Sequence, residues 1–480
     1  MRRDLPREEC GIFGCRILNE EPAAPVIVNG LIMLQHRGQD SAGVATYDGR
    51  FHIHKDVGLT TQVFTPDKVN RLTGPLGIGH VRYSTTGMPS VQDAQPFFAS
   101  YPRRGIAFAH NGNLVNLIEL RRLLLRQGWS LLSRCDGEVL MGVLATALET
   151  YRDLQQALER VSTQVEGAYS AVFISGEGEL VAIRDPHGFR PLSYGRSDEG
   201  AYAASESVAI QVFSTKQIDD VEPGTAVRVD REGNIEIVRF AKSNPRFCMF
   251  EFVYFSRPES VVMNRCVYDV RIKLGEMLAK YHDVNVDVIV PVPDTARPAA
   301  EGYSRVTGIP TREGLMKNRY IGRTFIMPPT ADRSFSVRMK LTPVPSVIRG
   351  KRVLLIDDSI VRGTTMRQIV QLLKSAGAKE VHVRITCPPI IGPCFYGIDI
   401  SRHEELAAHG RTVEEICKMI GADSLVYQRI DDLVSAIGLP REKLCLACLT
   451  HEYPTDRAAA IAERMRSVSG FRERYWEAEI

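Results

Sequence analysis

The sequence predicts two unlike domains in tandem, an α+β half followed by a parallel α/β half. Three observations carry this. Short apolar runs that read as strands, such as 106–109 and 171–174, are interleaved with patterned helices over 117–127 and 137–151. A polar break containing a proline follows at Lys242-Ser243-Asn244-Pro245. Beyond it, Val- and Ile-rich runs at 286–290, 353–356 and 381–385 alternate with helix-like stretches at 271–282 and 366–376. That alternation is what a parallel sheet with crossover helices requires. The expected division is a leader over 1–9, a first domain over 10–241, a second over 246–410, and a helical C-terminal segment over 411–480. With 480 residues, each domain is long enough for its own core.

The bulk numbers exclude some classes of function. A net charge of +3 with 24% charged residues gives no basic surface of the kind nucleic acid demands, so no such partner is expected. Apolar runs are short, and Arg2-Arg3 is not followed by an apolar stretch, so neither a membrane span nor a secretory signal is expected. The expected location is cytoplasmic. Disulfides are uncommon there, so the ten cysteines raise the question of metal binding and catalysis.

From the N-terminus, the first informative residue is Cys10. If the chain is cut after Glu9, Cys10 carries a thiol and a free α-amine on one carbon. An α-amine titrates near 7.7–8.0 and a thiol near 8.5, so the amine can act as a base beside its own nucleophile. A Cys flanked by Gly and an apolar run can equally be a buried structural thiol. Three clusters follow: His36-Arg37-Gly38-Gln39-Asp40-Ser41-Ala42-Gly43, Gly79-His80-Val81-Arg82-Tyr83-Ser84-Thr85 and His110-Asn111-Gly112-Asn113-Leu114. Together with Cys10-Gly11-Ile12-Phe13-Gly14, they resemble, in order, the class II glutamine amidotransferases. The resemblance implies an N-terminal nucleophile hydrolase fold, an αββα sandwich. It implies Cys10 as nucleophile, with Asn111 and the N–H of Gly112 as the oxyanion hole. Arg82 would fork onto the substrate's α-carboxylate, which suits guanidinium, and Asp136 would hold its α-ammonium. The sequence departs from the family around Asp136, where Cys135 and Gly137 replace hydroxyl residues.

In the second half, Val353-Leu354-Leu355-Ile356-Asp357-Asp358-Ser359-Ile360-Val361-Arg362-Gly363-Thr364-Thr365 is a buried strand ending in two carboxylates, then a Gly- and hydroxyl-bearing loop, then a helix start. Ligands of open α/β sheets bind at such strand ends. Helix N-termini favour phosphate, and paired carboxylates suit ribose hydroxyls or Mg²⁺. The segment resembles the phosphoribosylpyrophosphate (PRPP) signature of type I phosphoribosyltransferases. By that resemblance Asp357 and Asp358 hold ribose, Val361, Arg362, Gly363, Thr364 and Thr365 cradle the 5′-phosphate, and Ser359 also binds PRPP. Pro291-Val292-Pro293-Asp294-Thr295-Ala296 resembles the pyrophosphate loop. Thr295, with Asp357 and Asp358, would serve Mg²⁺, and Ala296 stands where Gly is usual. Residues 317–325 and 337–341 flank a polar stretch over 328–336 and read as a lid carrying Tyr320 and Lys340.

Cys445-Leu446-Ala447-Cys448 has the spacing of half a tetrathiolate site. By spacing alone, zinc, or no metal at all, stays open. As a whole the chain resembles the glutamine PRPP amidotransferases, in particular the branch with a cleaved leader and a [4Fe–4S] cluster. This implies Cys248, Cys394, Cys445 and Cys448 as cluster ligands and leaves Cys15, Cys135, Cys266, Cys387 and Cys417 as packed or surface thiols. It further implies glutamine and PRPP as substrates, Mg²⁺, purine nucleotides as feedback inhibitors and a homotetramer or homodimer. Two rivals are a different glutamine-dependent transferase, which the 357–365 motif opposes, and a nucleotide-binding regulator without turnover.

Overall fold

A computed structural model describes residues 10–83, 90–101, 105–318, 339–400 and 402–467. The first domain is built from two antiparallel sheets. One contains β1 (Gly11–Ile17), β2 (Ser41–Tyr47), β3 (Phe51–Val57), β4 (Leu76–Arg82) and three strands from later in the chain. The second sheet starts with β5 (Phe97–Ala99), β6 (Ile106–Leu114), β7 (Gly167–Ser175) and β8 (Leu180–Arg184). The chain then returns to the first sheet with β9 (Ser193–Arg196), β10 (Gly200–Ala204) and β11 (Gln217–Asp220), and finishes the second with β12 (Thr225–Val229) and β13 (Ile235–Arg239). The strand orders are β11-β9-β10-β1-β4-β2-β3 and β13-β12-β8-β7-β6-β5.

Strand alternation explains the layering. In β1, Ile12 faces the second sheet, joining Ile78, Ala107, Val172 and Leu180 in a core between the sheets. Phe13 and Cys15 face the other way, onto the helix Ala23–Met33. The helices Leu117–Arg126, Asp136–Tyr151 and Leu154–Gln164 cover the outer face of the second sheet through Leu140, Leu144 and Leu158. Alternate residues bury on opposite faces because the side-chain period is two. The result is four layers, helix–sheet–sheet–helix.

The second domain carries four parallel strands, Val288–Pro291, Arg352–Asp357, Glu380–Ile385 and Ser424–Tyr427, adjacent in that order. The last strand corrects the expectation of a helical segment beyond 411. The helices Val413–Ile420 and Ile430–Ile437 are present, but four of the residues between them, Ser424–Tyr427, complete the sheet. A run as short as Ser424-Leu425-Val426-Tyr427 has too little periodicity to be told from a connection. The helix expected over 271–282 runs instead over Val267–Ala279, burying Val267, Val270 and Leu274.

Phe247–Cys248 pairs in parallel with Leu444–Cys445, tying the start of the second domain to the end of the chain. The terminal helix Asp456–Ser467 docks back on the first domain. Ala458 and Ala462 pack in one cluster with Val115 and Phe189, and the Arg457 N–H donates to Glu166 at 2.9 Å. Among the described residues no helix is long and apolar enough to cross a membrane.

Candidate active sites

One pocket gathers Cys10, Arg82, Asn111, Gly112 and Asp136, drawn from four separate stretches of sequence. Cys10 stands half-buried just before β1, its thiol 4.0 Å from the Tyr83 carbonyl. Arg82 is the last residue of β4 and is buried. Burial opposes its charge, but Cys135, Cys10, Asp93 and Asp136 around it hold the guanidinium above its ordinary value. Asp136 opens the helix Asp136–Tyr151, where the helix dipole favours a carboxylate. Its carboxylate accepts the Leu114 N–H at 3.2 Å and lies 3.8 Å from His110 Nδ1. The pocket therefore presents a cation and an anion to opposite ends of a small zwitterion.

Asn111 lies in β6, 2% exposed, and its Nδ2 has no hydrogen-bond partner among the described residues. A buried amide donor without a partner costs stability, so it marks a place where an acceptor belongs. Gly112 follows with φ of 153°, and a Cβ there would stand 1.9 Å from the Ala168 carbonyl oxygen. Only glycine allows β6 and β7 to approach this closely.

The structure adds residues that the motifs did not single out. Gln95 bridges the pocket wall: its Oε1 accepts the His110 N–H at 2.7 Å and its Nε2 approaches Cys135 Sγ at 3.6 Å. A Cβ at Gly137 would meet the Gln95 amide at 3.1 Å, so the small residue goes with this glutamine. Cys135, expected as a packed or surface thiol, is buried and also lines the pocket, where its Sγ donates to Asp136 Oδ1 at 3.6 Å. Burial, and then the Asp136 charge, push that thiol well up, so it serves as a neutral donor. No hydrophobic periodicity could have disclosed this role.

The second site forms where Arg352–Asp357 ends. Asp357 and Asp358 are both 3% exposed. Burial, and then the neighbouring Asp358 charge, push Asp357 far above the usual carboxylate range; burial also raises Asp358. Asp358 accepts hydrogen bonds from Thr295 Oγ1 at 2.5 Å and Ser359 Oγ at 2.6 Å. Thr295 thus joins the acid pair as the motif implied, while the Ser359 hydroxyl turns back onto the acid. Ala296 has φ of −82°, an ordinary right-handed conformation, so the missing glycine brings no strain there. Val361 is buried, and its carbonyl accepts the Ala407 N–H at 2.7 Å. The Arg362 guanidinium forks onto Glu405 at 2.7 and 3.0 Å. Gly363 caps the helix Thr364–Ser375, whose first turn holds Thr364 and Thr365. The Lys340 carbonyl accepts the Asn318 N–H at 2.8 Å. Tyr320 and residues 1–9 lie outside the described residues. The all-oxygen set of Asp357, Asp358 and Thr295 fits the donor preference of Mg²⁺.

Cys248 stands in register with Cys445 across the parallel pair. Burial, followed by nearby Cys394, Cys445, Cys387 and Cys248, pushes the Cys448 thiol well above its ordinary value. Cys248, Cys394 and Cys445 thus all lie near enough to Cys448 for their charges to act on its thiol. Among the described residues, no group of three or more His, Cys, Asp or Glu could hold one metal ion. A four-iron cluster binds its thiolates through four separate irons, so an all-thiol set around a common space fits it by chemistry.

Comparisons with known proteins divide the chain as the two sites do. Residues 80–212 match the family model described as glutamine amidotransferase domain, and residues 268–391 match phosphoribosyl transferase domain. Amidophosphoribosyltransferase of Methanothermobacter thermautotrophicus is 44% identical over 96% of this chain and 98% of the relative. That of Methanocaldococcus jannaschii is 46% identical over 93% and 98%. The solved glutamine PRPP amidotransferase of B. subtilis, complexed with ADP and GMP, superposes with a TM-score of 0.86 at 42% identity, covering 93% of this chain and 98% of that one.

Proposed function

The chain belongs to the amidophosphoribosyltransferase family, and from that premise we propose how its two sites share one reaction. The enzyme converts glutamine, PRPP and water into 5-phosphoribosylamine, glutamate and pyrophosphate, the first committed step of purine synthesis. The observation that carries this is the pocket in which Cys10, Arg82, Asp136 and the unpartnered Asn111 amide meet, in a chain that also carries the buried acid pair.

Arg82 and Asp136 hold the two charged ends of glutamine, which places its side-chain amide at Cys10. The thiol sulfur attacks the amide carbon, and its proton passes to the α-amine of Cys10. Asn111 Nδ2 and the Gly112 N–H take the charge that develops on the amide oxygen. The α-amine returns the proton to the leaving nitrogen, ammonia departs, and water hydrolyses the thioester to glutamate. This scheme requires removal of residues 1–9, since an acylated amine is no base. Ammonia then attacks C1 of PRPP and pyrophosphate leaves. At that site Asp357 and Asp358 orient the ribose hydroxyls, and the first turn of Thr364–Ser375 receives the 5′-phosphate. Mg²⁺ held by Asp357, Asp358 and Thr295 would offset the charge of the departing pyrophosphate.

Cys248, Cys394, Cys445 and Cys448 would hold a [4Fe–4S] cluster that ties the C-terminal segment to the rest, a structural role in which ligation is folding energy. Purine nucleotides as feedback inhibitors are supported by the ADP and GMP bound to the B. subtilis relative. A cytoplasmic homotetramer or homodimer completes the proposal.

The test is Cys10→Ala, alongside intact mass and an iron assay of anaerobically purified protein. The variant should lose glutamine-dependent synthesis and keep ammonia-dependent synthesis. Mass should show a mature chain beginning at Cys10, and iron should reach about four per chain. Loss of both activities in a folded variant would refute the division of labour.

A further inference from the structure

The pocket around Cys10 is not made by the first domain alone. Gly397, from the second domain, also lines it. The segment that carries Gly397 is gripped by first-domain residues. Arg190 donates from Nε to the Tyr396 carbonyl at 2.9 Å and from Nη2 to the same oxygen at 2.5 Å. Phe189 stacks on Tyr396 with centroids 4.0 Å apart and planes 13° from parallel. Asn113 Nδ2 donates to the Phe395 carbonyl at 3.1 Å. Asn113 directly follows Gly112 in β6, so the strap is fastened to the strand that bears the oxyanion donors.

Arg190 is itself held firmly. It is fully buried, its own carbonyl accepts Arg184 Nε at 2.8 Å and Ser170 Oγ at 3.1 Å, and its Nη1 lies 3.6 Å from Glu251. Gly397 has φ of 120°, and a Cβ there would stand 2.8 Å from Arg190 Nη2. The guanidinium therefore occupies the space that any side chain at 397 would need. Arg190 and Gly397 fit as a matched pair, and the outcome of the fit is a backbone wall on the pocket.

We propose that glutamine binds across the domain boundary: the strap 394–397 closes the pocket, and Arg190 is the positioning residue that sets where the strap lies. The proposal rests on the reading of this pocket as the glutamine site. Arg190 touches no substrate atom in this scheme. It acts by fixing the Tyr396 carbonyl, and hence Gly397, against the bound amino acid.

The experiment uses the full-length enzyme with Arg190→Lys and Gly397→Ala, measuring glutamine hydrolysis and ammonia-dependent synthesis. Arg190→Lys keeps a positive charge near Glu251 but loses the fork onto Tyr396. Gly397→Ala leaves Arg190 in place and displaces the strap. Both should raise the glutamine KM by about tenfold or more, the scale of a lost hydrogen bond to a charged group, with a smaller change in kcat. Ammonia-dependent synthesis reports that the second domain is intact and should stay within about twofold in both variants. An unchanged glutamine KM in Gly397→Ala would overturn the proposal, as would a parallel fall of both activities in soluble protein. If Arg190→Lys fails to fold, Gly397→Ala alone decides. Cys10→Ala separates the two levels: persistence of glutaminase there would sink the glutamine-site reading, whereas a dead Cys10→Ala beside unaltered strap variants would sink only this proposal.

Discussion

Replacing Asn111 with alanine should slow glutamine hydrolysis without weakening glutamine binding. The side chain is 2% exposed in β6, opposite Ser170 of β7, and its Nδ2 makes no hydrogen bond among the described residues. Deleting that donor therefore forfeits no hydrogen bond of Nδ2, and it relieves a desolvation cost of about 1–3 kcal/mol for a buried polar group. Against this stands the lost packing of a few side-chain atoms, so the net change in stability should be small. Catalysis should respond very differently. A preorganised donor aimed at a developing oxyanion is worth about 2.7–4 kcal/mol, which is about 10²–10³ in kcat. Charge appears on the amide oxygen only as Cys10 attacks, so the loss should fall on kcat and leave KM nearly constant. Steady-state glutaminase kinetics, with ammonia-dependent synthesis as the internal control and thermal unfolding as the fold check, measure all three quantities. A fall in kcat of less than about tenfold, or a loss confined to KM, would refute the assignment of this amide to the oxyanion.

Three further outcomes follow from the same structure. Arg82→Ala should weaken glutamine binding by about 2–5 kcal/mol, as expected when one partner of a buried charge pair is truncated; an unaltered glutamine KM would remove Arg82 from the carboxylate. Asp357→Asn should abolish PRPP use in both the glutamine- and ammonia-dependent reactions yet raise the melting temperature of the free enzyme. Its folded-state carboxyl is pushed far above the usual range, so the native state holds a proton that the unfolded chain releases. Wild-type stability then falls as pH climbs from about 3.9 towards the raised value, so the advantage of the variant should vanish below about pH 4 and grow as pH rises above it; a variant less stable than wild type at pH 8 would contradict this. Glu206→Gln should lower the melting temperature at neutral pH, by about 3–5 kcal/mol of stability if the buried pair with Arg37 behaves as others do. Although burial works against the charge, Arg37 and then His36 hold Glu206 well below the usual carboxylate range. Its contribution is therefore complete above about pH 4.3 and disappears only as pH falls through the depressed value, so a wild-type enzyme that loses this increment already between pH 7 and 5 would speak against it.

Much of this was legible in the sequence, for a physical reason. Each strand of the two-sheet sandwich must bury alternate residues on opposite faces, and the acid pair must sit where a buried strand ends, so both leave patterns in consecutive residues. The strand Ser424–Tyr427 escaped because four residues between two helices carry no usable period. Gln95, Cys135 and Gly397 escaped for another reason. Gln95 reaches the pocket by bracing His110, Cys135 by donating to Asp136, and Gly397 by crossing from the other domain. Contacts between residues so far apart in sequence have no local signature. Ala296 shows the converse: an apparent departure from a family pattern proves harmless because its φ lies in the ordinary region.

The two sites treat buried charge in opposite ways, and the difference matches their chemistry. Around Cys10, Arg82 is surrounded by groups that can carry negative charge and sits above its ordinary pKa; the pocket is electrostatically ready before glutamine arrives. Asp357 and Asp358 lie side by side with burial raising both; the Arg271 charge works against this at Asp358, and burial draws that guanidinium down to about 10. Two adjacent buried carboxylates without a matching cation are unstable as a charged pair. A cation or a ring of hydroxyl donors bound there would favour the charged form of the pair. Within the second domain Arg271 donates to the carbonyls of Phe252 at 2.9 Å and Ser256 at 2.8 Å. The Ser256 hydroxyl in turn donates to Glu251, which pairs with Arg37 of the first domain. A buried polar network of this kind is strong only when every member is satisfied. The bonds from Arg271 through Ser256 and Glu251 to Arg37 thus run across the boundary between the domains.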